Sequence, residues 1–296
     1  MPSSASPFRL ALVQMKANSA DVDALPAAMD LIRQAARDGA QIIVLPELFR
    51  APYFCQQMTP EHFRYAEQVP GPTTDTLGRL AAELQVVIVA SLFEEAAAGL
   101  YFNTTAVLDA DGTCLGIYRK SHIPDDPLYY EKFYFTPGDT GYRVFHTRYA
   151  AVGVLICWDQ WYPEAARLTA MMGADVLVYP TAIGTIEEEG PEQHRMQRDA
   201  WITIQRSHAI ANGVFVAAVN RAGTEGELDF WGHSFACGPQ GELLAQMGTE
   251  QDAIALVDCD RARMRDTRNI WPYFRDRRID TYAPLTRRYL TGASGG

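Results

Sequence analysis

Two distant stretches of this chain share one grammar. Residues 33–49 read RQAARDGAQIIVLPELF and residues 167–183 read RLTAMMGADVLVYPTAI. Six of the 17 positions match without gaps, among them Gly39 with Gly173, Ala40 with Ala174 and Pro46 with Pro180. Each stretch is the end of a helix, a glycine stop, a buried strand and a proline. Glycine takes the left-handed conformation that closes a helix, and a continuous apolar run fits a strand covered on both faces. Shared β-α grammar alone could produce one such match. As a true repeat it implies two similar halves, each a sheet covered by helices, stacked sheet to sheet so that both inner faces are buried. The unit does not recur further, so no solenoid is implied. No Pro/Gly/Ser-rich linker separates the halves, and the expectation is a single domain over residues 1–296.

Apolar, β-branched runs at 10–14, 41–45, 86–91, 104–108, 115–118, 152–156, 176–179, 214–219 and 254–257 predict buried strands. Residues 23–38, 75–84, 163–172 and 194–212 predict helices. Thr73-Thr74 stands where a cap belongs, and Pro163-Glu164 suits a first helical turn. Gly39, Gly173 and Gly213 stop three of them. Residues 185–193 and 283–296 read as loop and tail. Hairpin and β-α patterns both occur, so the class is mixed α/β.

Hydrophobic residues make up 48% of the 296, enough for a sizeable core, and the net charge is -10. That balance argues against a nucleic-acid or anionic-membrane partner, because phosphates select basic faces. The charge is uneven: residues 261–288 hold nine arginines against three aspartates. Such a segment reads as a solvated surface or, since arginine is common at interfaces, as a contact for another subunit. The five cysteines are widely spaced, with no CxxC pair and no zinc spacing. Free thiols suit a reducing compartment. Residues 1–7 lack a basic leader, and no run approaches the length of a membrane span. The expected location is the cytoplasm.

Three reactive side chains follow predicted strands. Glu47 follows 42–46, Lys120 follows 115–119 and Cys157 follows 150–156. Side chains at strand ends leave the core yet stay rigidly held, so sites gather there in α/β proteins. The types suit a cysteine hydrolase without histidine. A thiol attacks as thiolate; Glu47 could take its proton, and Lys120 could lower the thiol pKa and then hold an oxyanion. The backbone N–H of Trp158 is a natural second oxyanion donor. Taken singly, each of the three has an ordinary reading: a cap, a solvated lysine, a core thiol. His122, His146, His194, His208 and His233 are rival partners for a cysteine, but none sits in a Cys/His protease signature.

The segments LPELF (45–49), YRKSHIP (118–124), EKFYFTPGD (131–139), ICWDQWYPEAAR (156–167) and YPTAIG (179–184) together resemble the nitrilase superfamily of carbon–nitrogen hydrolases, in family order over residues 10–282. The resemblance implies a four-layer αββα sandwich of two mixed β-sheets flanked by helices. It implies a Glu47, Lys120, Cys157 triad, with Glu131 as a supporting second glutamate beside the lysine, and no metal or organic cofactor. It also implies homo-oligomers, dimers or larger, in which the C-terminal segment 261–296 reaches a neighbour.

Within the superfamily, CWDQWYPEAAR, KSHIPD and EKFYFTPGD resemble the N-carbamoylputrescine amidase branch, whose reaction gives putrescine, carbon dioxide and ammonia. The small-molecule substrate expected from this is an N-carbamoyl amine. Relatives that take N-carbamoyl amino acids place an arginine shortly after the nucleophile, and none stands in residues 158–162. Arg50 stands where the resembling sequences often carry an acid. Carboxylates and aromatics suit an alkylammonium tail. Tyr53, Asp125, Asp159 and Glu187 are the candidate substrate-binding residues, with Asp126, Glu188 and Glu189 close by. A β-ureidopropionase, an ω-amidase, an aliphatic amidase, a nitrilase proper and a non-catalytic binding protein stay open as alternatives.

Overall fold

A computed structural model of the protein describes residues 6–17 and 22–291. Residues 1–5 of the stretch read for a leader (1–7) and the last residues of the expected tail (292–296) lie outside the described residues. The first half of the chain runs β1 (Phe8–Lys16), α1 (Leu25–Arg37), β2 (Ile42–Val44), α2 (Pro72–Leu84), β3 (Val87–Ala97), β4 (Leu100–Leu108) and β5 (Cys114–Arg119). The second runs β6 (Arg143–His146), β7 (Ala151–Val154), α3 (Pro163–Met171), β8 (Val176–Pro180), β9 (Gly184–Ile186), α4 (Gly190–Asn212) and β10 (Phe215–Val219). It continues through β11 (Arg221–Glu225), β12 (Leu228–Trp231), β13 (Phe235–Cys237), β14 (Leu243–Gln246), β15 (Ala253–Cys259) and α5 (Arg261–Ile270).

Two mixed sheets result. One has the order β5-β4-β3-β2-β1-β11-β12-β9, and the other β14-β13-β10-β8-β7-β6. Strand β1 carries β2 along one edge. Along the other, residues 8–14 pair antiparallel with β15, while Met15 and Lys16 pair parallel with β11.

The strand period of two decides which layer each side chain joins. Leu10, Leu12, Ile42, Val44, Val87 and Val89 face the second sheet and share one core with Val152, Val154, Val176 and Val178. Their alternates Ala11, Val13, Ile43, Leu45, Ile88 and Ala90 face the opposite way, onto Ala28, Ile32 and Ala35 of α1 and Leu77 and Ala81 of α2. On the other side α3 and α4 cover the second sheet through Ala165, Ala166, Ala170, Trp201 and Ala209. The layers are therefore helix, sheet, sheet, helix, as the resemblance implied.

The repeated sequence unit occupies corresponding places. Gly39 at φ +93° and Gly173 at φ +95° turn the chain from α1 into β2 and from α3 into β8. Each of these strands runs parallel to both neighbours, β2 between β1 and β3, β8 between β7 and β10. The ends of the two copies also meet: Glu47 N–H donates to the Thr181 carbonyl at 3.4 Å.

Several expectations need correction. Strands β6, β9, β11, β12, β13 and β14 were not foreseen, nor was α5. Residues 185–193 are not all loop, since they include the end of β9 and the start of α4. Helix α2 begins at Pro72, upstream of the expected cap. Thr74 sits in its first turn, where its hydroxyl accepts from Gly71 N–H at 2.7 Å and donates to the Gly71 carbonyl at 2.9 Å. The arginine-rich segment is solvated only in part. Arg261 is buried on Asp175 at 3.0 Å, and Asp260 caps α5 by accepting from Ala262 N–H. Among the described residues no helix is long and apolar enough to cross a membrane.

Candidate active site

Four segments bring their ends together between the sheets. Glu47 lies just past β2, Lys120 follows β5, Glu131 opens the 3₁₀ turn Glu131–Phe133, and Cys157 opens the 3₁₀ turn Cys157–Trp161. Lys120 Nζ donates to Glu47 Oε1 and to Glu131 Oε2, both at 2.7 Å. All three side chains are closed to solvent. Asn103 on β4 donates to Glu47 Oε1 at 2.7 Å, and the Tyr53 hydroxyl to Glu131 Oε1 at 2.8 Å. Glu47 Oε2 is buried without a hydrogen-bond partner among the described residues. One acceptor oxygen thus remains uncommitted in an otherwise satisfied cluster.

The electrostatics follow from two carboxylates sharing one ammonium out of water. Burial alone would pull the Lys120 ammonium down; Glu131 and Glu47 outweigh it and hold it well above its ordinary value. Burial pushes the Glu131 carboxyl up to about 7, against the pull of Lys120. Burial also pushes the Cys157 thiol well up, Glu47 adds to the rise, and Lys120 opposes them without prevailing. The thiol is therefore protonated at rest. Lys120 pulls the thiol pKa down, as expected of it, but burial and the nearby carboxylate outweigh that pull.

Cys157 sits at φ +39°, which strains a non-glycine residue. The turn that carries it is braced by Asp159. Asp159 Oδ2 accepts from Ile156 N–H at 2.9 Å and from the Tyr118 hydroxyl at 2.7 Å. Its Oδ1 accepts from His122 N–H at 3.0 Å and meets His122 Nδ1 at 2.7 Å. The imidazole is stacked on Tyr162, with ring centroids 3.6 Å apart and planes 6° from parallel. This one buried carboxylate ties the cysteine turn to the segment carrying Lys120. Asp159 is buried and both its carboxylate oxygens face protein groups, so in this structure it braces the turn. None of the five rival histidines hydrogen-bonds to Cys157 among the described residues; the thiol faces the Ala182 carbonyl at 3.9 Å.

A cleft of about 480 Å³ opens over Cys157 and Glu131. Tyr129, Trp158, Trp161 and Trp231 line it, and Asp126 and Glu189 bring its exposed charges. Gln197 Nε2 donates to Glu189 Oε1 at 2.9 Å. Asp125 and Glu187 are exposed in the same two segments but do not line the cleft. Tyr53 is buried below it, engaged by Glu131 and packed edge-on against Tyr129 and Phe230. Arg50 is tied to Asp23 through two bonds of 2.9 Å and to Glu67 at 3.3 Å, and does not line the cleft. Among the described residues no group of three or more His, Cys, Asp or Glu converges as a metal site.

Asn103 and the paired Arg221 and Glu225 were not singled out in the sequence, and Asp126 and Glu189 were named there only as neighbours of Asp125 and Glu187. A polar Asn inside the run YFNTTAVL was a usable signal, since a covered strand tolerates such a residue only with partners.

The arrangement has likenesses among known proteins. The carbon–nitrogen hydrolase family model matches residues 9–269. Over 264 residues the chain is 48% identical to an N-carbamoylputrescine amidase of Solanum lycopersicum, covering 86% of this chain and 87% of that protein. A crystal structure of a carbon–nitrogen hydrolase from Helicobacter pylori G27 superimposes with a TM-score of 0.93 at 42% identity, covering 96% of this chain and 100% of that one. A mutant amidase from Nesterenkonia sp. AN1, with the acetamide moiety of fluoroacetamide added covalently at its active-site cysteine, has a TM-score of 0.72 at 26% identity, with 98% of each chain covered.

The brace makes a stability prediction. Asp159→Ala strands several buried donors, at roughly 1–3 kcal/mol each. Urea unfolding is expected to show a loss of about 3 kcal/mol or more; a loss below about 1 kcal/mol contradicts the brace.

Proposed function

As the chain belongs to the carbon–nitrogen hydrolase family, we propose that it hydrolyses N-carbamoylputrescine to putrescine, carbon dioxide and ammonia through an S-carbamoyl intermediate on Cys157. The observation that carries this reading is the cleft itself. A buried thiol and a Glu–Lys–Glu cluster lie beneath aromatic walls, and the exposed charges beside them are acidic. An alkylammonium tail suits such walls, through charge and cation–π attraction. A carboxylate tail meets repulsion there.

The proposed chemistry starts from the protonated thiol. Glu47 takes the Cys157 proton on its uncommitted oxygen, and the sulfur attacks the carbamoyl carbon. The oxyanion that forms is held by the Lys120 ammonium and the Trp158 N–H. The bond from that carbon to the putrescine nitrogen breaks, and Glu47 returns the proton to the leaving amine. Water, deprotonated by Glu47, then cleaves the thiocarbamate. Carbamate leaves and falls apart to carbon dioxide and ammonia, and Cys157 recovers its proton. Glu131 keeps Lys120 oriented beside Glu47.

Asp126 and Glu189 are the proposed readers of the distal ammonium, in place of Asp125 and Glu187. The chain is read as one domain acting in the cytoplasm, where its free cysteines stay reduced. The C-terminal segment is proposed as the contact surface of a homo-oligomer, because Ile270, Trp271, Ile279, Leu285 and Tyr289 are exposed there beside arginines.

A substrate panel tests the assignment. N-carbamoylputrescine is expected to exceed N-carbamoyl-β-alanine by at least roughly 10-fold in kcat/KM, since exchanging an ammonium for a carboxylate reverses the sign of the interaction. Preference for the carboxylate compound contradicts it, and preference for a nitrile or simple amide moves the chain to another branch. A pH profile tests Glu131. Because its carboxyl loses its proton near about 7, kcat/KM should rise with pH through the neutral range as the cluster becomes more basic. Glu131→Gln should abolish that rise; an unchanged profile removes Glu131 from the proton balance.

A further inference from the structure

The proposed base is held from two directions, through its carboxylate and through its backbone. Its carboxylate is fixed by Lys120 and Asn103. Its backbone is fixed by Arg221, the first residue of β11, which is buried. Arg221 Nε donates to the Glu47 carbonyl at 3.1 Å, and Nη2 donates to the carbonyls of Leu48 and, at 2.9 Å, Ala51. Nη1 donates to Glu225 Oε2 at 3.3 Å, and the other oxygen of Glu225 accepts from Tyr53 N–H. Leu48 stands at φ +49° in the middle of this loop, and its N–H donates to the Ser91 hydroxyl at 3.1 Å.

We propose that the buried Arg221–Glu225 pair is a positioning device for the reaction, setting Glu47 through its backbone and Glu131 through Tyr53. Three carbonyls converging on one planar cation fix the path of residues 47–51 as a rigid plate does. Lysine carries the charge but not the fork, so it cannot hold three carbonyls and a carboxylate together. At the far end, Glu225 anchors the backbone of Tyr53, whose hydroxyl reaches Glu131. One ion pair outside the cleft thereby places both carboxylates that flank Lys120. A residue needed only for folding would lower stability without singling out turnover. A positioning residue loses turnover in a protein that remains folded and still binds substrate.

The inference rests on the reading of Glu47 as the base, and the experiment separates the two. Full-length wild type, Arg221→Lys, Arg221→Ala, Glu47→Gln and the Glu47→Gln/Arg221→Lys double variant are assayed on whichever panel compound the wild type turns over fastest. Melting curves are recorded alongside. Arg221→Lys is expected to lose roughly 10-fold to 10²-fold in kcat, the scale of an ångström-sized misplacement, with KM within about 2-fold. Guanidinium ion added to Arg221→Ala should restore part of the lost turnover. The double variant should be no slower than Glu47→Gln alone, because both changes act on one group. Wild-type kcat in a folded Arg221→Lys overturns the inference, as does multiplication of the two losses. Lowered stability with no guanidinium rescue overturns it in favour of a purely structural role. Full activity in Glu47→Gln removes the base reading, whereas a silent Arg221→Lys beside an inactive Glu47→Gln removes only the positioning role.

Discussion

The sharing of one buried ammonium by two buried carboxylates is the interaction on which the rest of this structure depends. Each charge taken out of water costs several kcal/mol unless partners replace its hydration. Lys120 finds them in Glu47 and Glu131 at 2.7 Å each, and Asn103 and Tyr53 complete the shell. Removing any member leaves the others buried and unmatched. The segments that carry them are therefore held in register by the same electrostatics that the proposed reaction uses. The cluster bears one more negative than positive charge when fully ionised. Burial is the main reason that the Glu131 carboxyl and the Cys157 thiol both rise, and the surplus negative charge adds to it.

Stacked sheets provide the place for such a cluster. Strand ends on β2, β5 and β7 deliver Glu47, Lys120 and Cys157 to one side of a core packed tightly enough to hold them. The repeated unit contributes directly, since the residue that corresponds to Glu47 in the second copy is Thr181, and the backbones of the two bond to each other. Strain at Cys157 and Leu48 is confined to turns that are heavily cross-braced, by Asp159 in one case and Arg221 in the other. In both, a buried charged side chain bonds to backbone groups of the turn as well as to neighbouring side chains.

How far the sequence revealed this depended on what each segment faces. Strands covered on both sides, such as β2 and β8, are continuous apolar runs and were legible. The hairpin β11–β12 was not, because Arg221 and Glu225 look solvated in a sequence and are buried only as a pair. Asp159 illustrates the same limit. Its type and its position after Cys157 suited a substrate contact equally well, and only the four donors around it distinguish a brace from a binding group. Loops carry no periodicity, so Asp125 and Glu187 could not be told from Asp126 and Glu189, which line the cleft. The triad itself was read from motifs in family order; the spacing of three reactive residues would not have singled it out.

Covalent chemistry at Cys157 is the central claim, and the most direct measurement is rapid acid quench of the wild-type protein during turnover of N-carbamoylputrescine, followed by peptide mass analysis. The expected result is a carbamoyl group on the peptide containing Cys157, formed early and lost as substrate is exhausted, with none in Cys157→Ala. Turnover without that adduct, or an adduct on Cys55 in place of Cys157, would contradict the account.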